Sequence, residues 1–477
     1  MVLPDQIVER LGPVFSGENF VTHRLNLNAP TAPRKGKIKL LTTYGHKFGG
    51  PEFLDFLVER QPLAVERWRF LTMARRIFAG IVLVLALNSF AREPIKSPPP
   101  ARPATESRQV RARDLGVRFE GTPGKLNAIT DVPGVEVGYT TLISGEGKLD
   151  VGKGPVRTGV TAIIPRGHDS LNDPVYAGVF TLNGNGEMTG TAWVEESGFL
   201  EGPIIITNTH SVGVARDAVI QWRVNRGPPD KTGYWWSLPL VAETWDGWLN
   251  DINGFHVKPT DVWHALDTAH GGPIEEGSVG GGTGSICYEF KGGNGTASRV
   301  VSLTVAGGDD PGSQKSSHSY TVGVFLQANF GRRSQLVIAG APVGKLIPGE
   351  VYQQESGSCI AVVATDAPLL PNQLKRLARR VSLGLARTGT ISGNGSGDLF
   401  IAFSTANPNV AAPDQITHRV ETIPNDLLDP LFTGVVQATE EAVVNALVDN
   451  KTMVGRDNHR VEALPHDRLR ELMKRSP

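Results

Sequence analysis

From about residue 115 onward, short apolar or β-branched runs alternate with turns rich in Gly, Asn and Pro. The runs at 135–139, 160–165, 175–182, 204–208, 299–305, 320–327, 359–364 and 399–403 are each the length of a strand. Three stretches instead repeat apolar residues at three and four positions, which predicts helices over 217–224, 372–388 and 430–449. The helical stretches come in groups rather than after every strand. That pattern predicts an α/β protein of stacked sheets flanked by helices, not a regular doubly wound sheet. No internal repeat interrupts it.

The region before this pattern has a different character. Residues 73–91 run from a basic start (Met-Ala-Arg-Arg) through an apolar stretch to a small-x-small ending at Ser89-Phe90-Ala91, the layout of a secretory signal peptide. The apolar stretch at 77–87 is too short to cross a hydrocarbon layer of ~30 Å, which takes about 20 helical residues. An uncleaved amphipathic anchor or a buried helix is the other reading. A signal that begins at an internal methionine suggests translation from Met73, with residues 1–72 an upstream extension outside the translated product. Residues 92–114 are Pro-rich and charged, as suits a tether with little tendency to pack, so the catalytic domain is expected at 115–477. A secreted or periplasmic product is expected.

Composition narrows the partners. Lys plus Arg and Asp plus Glu are 48 each, so no global basic field draws nucleic acid or an anionic membrane, and neither nucleic acid nor stable membrane insertion is expected. Gly (55) and Pro (33) are high without low-complexity runs, and 40% hydrophobic residues allow a sizeable core. Two cysteines, Cys287 and Cys359, are too few for a disulfide framework, although export permits a single bridge; Cys287 reads as a core residue.

Candidate chemistry centres on the run 355–366, where Gly357-Ser358 opens onto an apolar strand. If the Gly357–Ser358 bond is cut, Ser358 carries a free α-amine beside its own hydroxyl, so one residue supplies both nucleophile and base. A turn feeding a core strand is the plainer reading of that run alone. Five segments, 183–190, 207–213, 243–251, 277–285 and 392–398, hold more polar and Gly residues than a core needs. The Gly-rich 277–285 lacks the Lys-Ser/Thr ending of a phosphate loop and the spacing of a dinucleotide site, so no nucleotide cofactor is expected. His210, His256 and His270 lack zinc-site spacing, and no metal is expected. A Ser-His-Asp triad stays open, since its members need not be adjacent in sequence, but Ser396 has Asn394 and Asp398 where a nucleophile elbow has Gly. Ser396 and Asp398 otherwise read as a solvated turn. Beside a freed amine at Ser358, that hydroxyl and carboxylate suit holding the amine in its proton-accepting form. Asn329, at the end of an alternating strand, is either an Asx turn or an amide donor to an oxyanion.

The segments 183–190, 207–217, 280–299 and 358–370 resemble the DmpA-type L-aminopeptidase/D-esterase family, which includes the β-peptidyl aminopeptidases, and the similarity spans about 115–450. The resemblance implies a four-layer αββα sandwich made as one precursor. The precursor cleaves itself, here at Gly357/Ser358, into an α chain ending at 357 and a β chain of 358–477. It further implies a homotetramer of αβ units acting on peptides and on aminoacyl amides or esters through an acyl-enzyme on Ser358. Ser396 and Asp398 fall on the family's Ser-x-acid pair, Asn329 on its oxyanion asparagine, and Glu243 on the acid that binds the substrate's free ammonium. Two departures stand out. Trp245 replaces a tyrosine expected in part of the family, and an indole N–H donates a hydrogen bond without acting as a phenolic acid. Cys359 stands where relatives carry an aliphatic residue; cleavage before Cys359 instead would turn the nucleophile to the opposite sheet face. Two rival readings remain at this point, an amino-acid acyltransferase of related fold and a catalytically silent exported binding protein. Preference among α-L, D and β-amino residues is not readable from the motifs.

Overall fold

The computed structural model describes residues 109–227, 236–305, 316–349 and 357–475. The upstream extension at 1–72, the signal peptide at 73–91 and the tether as far as 108 lie outside the described residues. In chain order the strands are β1 (Glu136–Ser144), β2 (Val156–Ile164), β3 (Val175–Gly184), β4 (Phe199–Leu200), β5 (Ile204–Asn208), β6 (Leu240–Thr244), β7 (Ile286–Cys287), β8 (Phe290–Lys291), β9 (Gly293–Val305), β10 (Ser316–Asn329), β11 (Gly357–Thr365) and β12 (Ser396–Ser404). The helices that matter below are α1 (Thr191–Ser197), α2 (Val212–Val224), α3 (Pro259–Asp267), α4 (Pro371–Arg387) and α5 (Asp429–Val448).

Two large sheets form, one ordered β1-β2-β5-β6 and the other β4-β3-β12-β11-β10-β9, beside small two-stranded pairs that include β7-β8. Period-two alternation sends each strand's residues to two different cores. Ile163, Ile204, Ile206, Leu240 and Ala242 of the smaller sheet pack with Val179, Phe325, Ile360, Val362, Leu399 and Ile401 of the larger one, filling the space between the sheets. The alternate residues of the larger sheet, among them Val324, Leu326, Ala361, Val363, Phe400 and Ala402, pack instead with Leu374, Leu377, Val381, Leu431, Val435 and Ala442 of α4 and α5. On the far side of the smaller sheet, Val160, Ala162, Ile205 and Val241 pack against Ala215, Val219, Val262 and Leu266 of α2 and α3. The layers therefore run helix, sheet, sheet, helix, as the resemblance implied.

Several boundaries differ from the pattern-based reading. The packed unit begins by Gln109 rather than Leu115, because Arg111 and Arg113 reach Glu276 and Glu441 and Ala112 is buried, so the end of the expected tether belongs to the domain. Strand β9 starts six residues before 299. Its first half is Gly, Asn, Thr, Ala and Ser, which carry no hydrophobic signal, yet α5 lies so close that a Cβ on Gly295 would meet the Ala442 carbonyl at 2.0 Å. Helix α2 starts at Val212 rather than 217 because Val212 and Ala215 are already buried. Helix α3 has a start signal that hydrophobic spacing alone passes over: Pro259 stands in the first turn and Asp261 accepts the Lys258 N–H at 2.8 Å.

Glu441 ties these layers together. It accepts from Arg113 Nε at 2.6 Å, Arg299 at 2.7 Å and Asn127 at 2.7 Å, linking α5 to β9 and the start of the domain. Burial pushes its carboxyl up, but the bond from Arg113 and the charges of Arg299 and Arg113 prevail and hold it below the usual value. Glu441→Gln is expected to remove about 3 kcal/mol by leaving buried guanidinium charge unpaired. The loss should be full above the ordinary glutamate pKa and vanish as pH falls through the lowered one, which urea midpoints measured across that range would show.

Candidate active site

The pleat of β11 decides which group can act. Ile360 and Val362 face the space between the sheets and Cys359 and Ala361 face the helices, so Ser358 shares the inter-sheet face and Cys359 the opposite one. Cys359 is fully buried, unbridged, and its thiol is pushed well above its usual value, first by burial and then by the charges of Asp398 and Cys287. A thiolate nucleophile has no access there. Ser358, 3% exposed, stands where the strand runs out past its hydrophobic partners.

Its neighbours come from both adjacent strands. On β10, Asn329 pairs with Ser358 and lies on the same face as Phe325. On β12, Gly397 pairs with Ser358, and its N–H donates to Ser358 Oγ at 3.4 Å. Ser396 and Asp398 flank Gly397. The Ser396 hydroxyl donates to Asp398 Oδ1 at 2.9 Å, the Ser392 hydroxyl donates to Oδ2, and the Cys359 main chain contributes a further bond. Burial raises the Asp398 carboxyl, and these three bonds oppose it. By alternation with Phe400 and Ala402, the pair sits on the helix side of the sheet, against the main chain of β11. Its members pair with Gly357 and Cys359, the chain neighbours of Ser358, on the face opposite the Ser358 hydroxyl. Gly357 fits this crossing because a Cβ there would meet the Asn329 carbonyl at 1.9 Å.

Asn329 is held at both ends. Its Oδ1 accepts the Ile286 N–H at 2.7 Å and its Nδ2 donates to the Trp245 carbonyl at 2.7 Å, which leaves one amide hydrogen free to donate. Trp245 thus contributes to the site through its main chain, an interaction that tyrosine or tryptophan would make alike. Its half-buried ring lies over Gly247, where a Cβ would come within 2.8 Å of the indole nitrogen.

Glu243, near the end of β6, is 3% exposed. Its Oε1 accepts the Glu187 N–H at 3.0 Å and its Oε2 accepts the Thr209 hydroxyl. Burial raises its carboxyl above the usual value despite these bonds, and among the described residues no Lys or Arg forms an ion pair with it. Gly186 joins the two sides: a Cβ on it would lie 3.1 Å from Glu243 Oε1 and 3.2 Å from Gly397 Cα. One glycine therefore separates the carboxylate from the strand neighbour of Ser358. Asp246, two residues before Trp248, is fully buried and pushed up to about 7, chiefly by desolvation.

All five polar segments seen in the sequence meet here. Asn183 and Asn185 donate to the carbonyls of Gly393 and Gly395, Thr209 and the 186–187 turn hold Glu243, and Gly281 packs against Gln327 of β10. Sequence reasoning missed Thr209, Ser392 and the Glu187 amide as partners of the two carboxylates, although each lies within a segment already marked by its polar density.

With the geometry in place, comparison with known proteins is direct. Residues 127–461 match the family model described as peptidase family S58. The "Beta-peptidyl aminopeptidase BapA" of Sphingosinicella microcystinivorans is 53% identical over 388 residues, spanning 78% of this chain and 94% of that protein. The protein of the same description from Sphingosinicella xenopeptidilytica is 48% identical over 379 residues, 76% of this chain and 91% of the relative. Among solved structures, the L-aminopeptidase D-Ala-esterase/amidase of Ochrobactrum anthropi, a prototype of the serine aminopeptidases with a variant of the Ntn hydrolase fold, superposes with a TM-score of 0.69 at 48% identity, covering 76% of this chain and 98% of that one. The motifs, the layered fold and these relatives agree: the chain belongs to peptidase family S58 and is an aminopeptidase of the N-terminal nucleophile type.

Proposed function

We propose that Ser358 is the nucleophile and that the protein activates itself by cutting the Gly357–Ser358 bond. The observation that carries this reading is the placement of Ser358 on the inter-sheet face, with Asn329 paired to it across β10 and Ser396 and Asp398 paired to its chain neighbours Gly357 and Cys359 on β12. In self-cleavage, Ser358 Oγ attacks the Gly357 carbonyl, the amide bond breaks to an ester, and water opens the ester. The products are an α chain ending at Gly357 and a β chain of 358–477 with a free amine.

In turnover that amine, with a reference pKa of about 7.7 to 8.0, takes the proton from Oγ without the large shift a lysine would need. Ser396 and Asp398 orient it. Oγ attacks the carbonyl of the substrate's N-terminal residue, and the remaining amide hydrogen of Asn329 stabilises the oxyanion. The leaving amine departs, and water releases the amino acid from the acyl-enzyme. Glu243 receives the substrate ammonium, which supplies the cation that this buried carboxylate otherwise lacks and restricts cleavage to free N-termini. The names of the two Sphingosinicella relatives support extending the substrates to N-terminal β-amino residues. The product is exported after removal of 73–91 and assembles as a homotetramer of αβ units, a reading supported by the signal-like segment and by the family resemblance.

Three results test this. Ser358→Ala should give a chain that stays whole on a denaturing gel and has no peptidase activity; an uncut variant that hydrolyses aminoacyl amides at the wild-type rate would refute the assignment. Mass spectrometry of the mature wild-type protein should find one species beginning at Arg92 and ending at Gly357 and a second beginning at Ser358. Finally, the ionised form of Glu243 binds the ammonium, so KM should rise on acidification at a pH above the ordinary glutamate value of about 4.3. Glu243→Gln should lose that dependence, with kcat/KM down roughly 30-fold or more, the equivalent of about 2 kcal/mol for an unpaired buried charge partner.

A further inference from the structure

A lysine that the mechanism above leaves unused lies behind the oxyanion asparagine. Lys291 is fully buried in β8, and its Nζ donates to two main-chain carbonyls, Ser285 O at 2.7 Å and Gly292 O at 2.6 Å. Among the described residues it has no ion pair with a carboxylate. An ammonium kept in the interior by carbonyls alone is costly, and an apolar side chain of similar volume would fill the space more cheaply. Burial lowers the lysine to about 7, against the opposing influence of Cys287 and Asp246, so both protonation states occur near neutrality and both can donate to the two carbonyls.

The identity of the carbonyl matters. Ser285 C=O and Ile286 N–H belong to one peptide group. The carbonyl accepts from Lys291 and from the Gly292 N–H at 3.0 Å, while the N–H at the other end donates to Asn329 Oδ1 at 2.7 Å. Donation to a peptide oxygen polarises that peptide and strengthens its N–H as a donor. The strengthened N–H in turn settles which end of the Asn329 amide is oxygen, and so turns Nδ2 toward the Trp245 carbonyl. The β7–β8 hairpin brings the lysine to this carbonyl, since Ile286 pairs with Lys291 across it.

We propose that Lys291 is a positioning residue of the aminopeptidase, acting through the Ser285–Ile286 peptide to fix and polarise the Asn329 amide. This rests on the reading of Asn329 as the oxyanion donor. The two are separated by a double-mutant cycle of Lys291→Met and Asn329→Ala in the full-length protein, with kcat and KM measured on an aminoacyl anilide. Where a variant is cut slowly, the rate of self-cleavage on a denaturing gel is compared as well, since attack on the Gly357 carbonyl also generates an oxyanion.

Asn329→Ala alone tests the underlying reading and should lower kcat by ~100-fold or more; an unchanged kcat would remove Asn329 from the mechanism. Lys291→Met should lower kcat about tenfold with KM within about twofold, and should cost nothing further in the Asn329→Ala background. The same loss in both backgrounds, or no loss in either, would overturn the role of Lys291, since a lysine that merely supports the hairpin acts independently of residue 329. If Lys291→Met does not accumulate folded, Lys291→Leu, which likewise removes the donor from the carbonyls, enters the same cycle with the same criterion.

Discussion

The period-two pleat of β11, pinned by hydrophobic cores on both faces, is the constraint from which the site follows. Ile360 and Val362 are committed to the core between the sheets and Cys359 and Ala361 to the core beneath α4 and α5. A slip of one residue would exchange these sets and bury each against the wrong partners, so register is strongly enforced. That enforcement extends past the last apolar side chain to Ser358, whose orientation is inherited from residues that do no chemistry. The same parity on β10 puts Asn329 on the face of the serine, and on β12 it sends Ser396 and Asp398 to the opposite side of the sheet.

The region around the serine is rich in negative and acceptor groups and poor in cations. Glu243, Asp246 and Asp398 are all raised by desolvation. Hydroxyls and main-chain N–H groups hold the first and last of them, yet those bonds do not offset burial. A protein that needed these residues only for packing would gain from neutral replacements. A site that waits for a positively charged end of a substrate gains from keeping them, because the interaction is stronger where water is excluded.

Much of this was legible in the chain and the remainder was hidden for definite reasons. Alternating apolar residues marked the core halves of β10, β11 and β12, and polar density marked all five segments that converge on the site. What escaped was structure made by small residues and by tertiary placement. The first half of β9 carries little apolar signal, α5 leaving no room for a side chain at Gly295, and β6 went unmarked although it is as long as β5. Lys291 looks like any surface lysine until the hairpin is seen to fold it inward. Which residues Asp398 lies beside depends on the register of β12 against β11, which no local pattern encodes.

Gly357 shows how closely strand packing is bound to the proposed cleavage. The carbonyl of Asn329 occupies the place where a side chain at 357 would begin. Even a methyl group there would wedge β10 away from β11, and because Asn329 and Ser358 are paired across those strands, the proposed attacking oxygen and its proposed stabilising amide would be pried apart. Shape thus restricts this position before chemistry is consulted, and any change to the proposed maturation step must begin from a backbone with room only for hydrogen at that carbon.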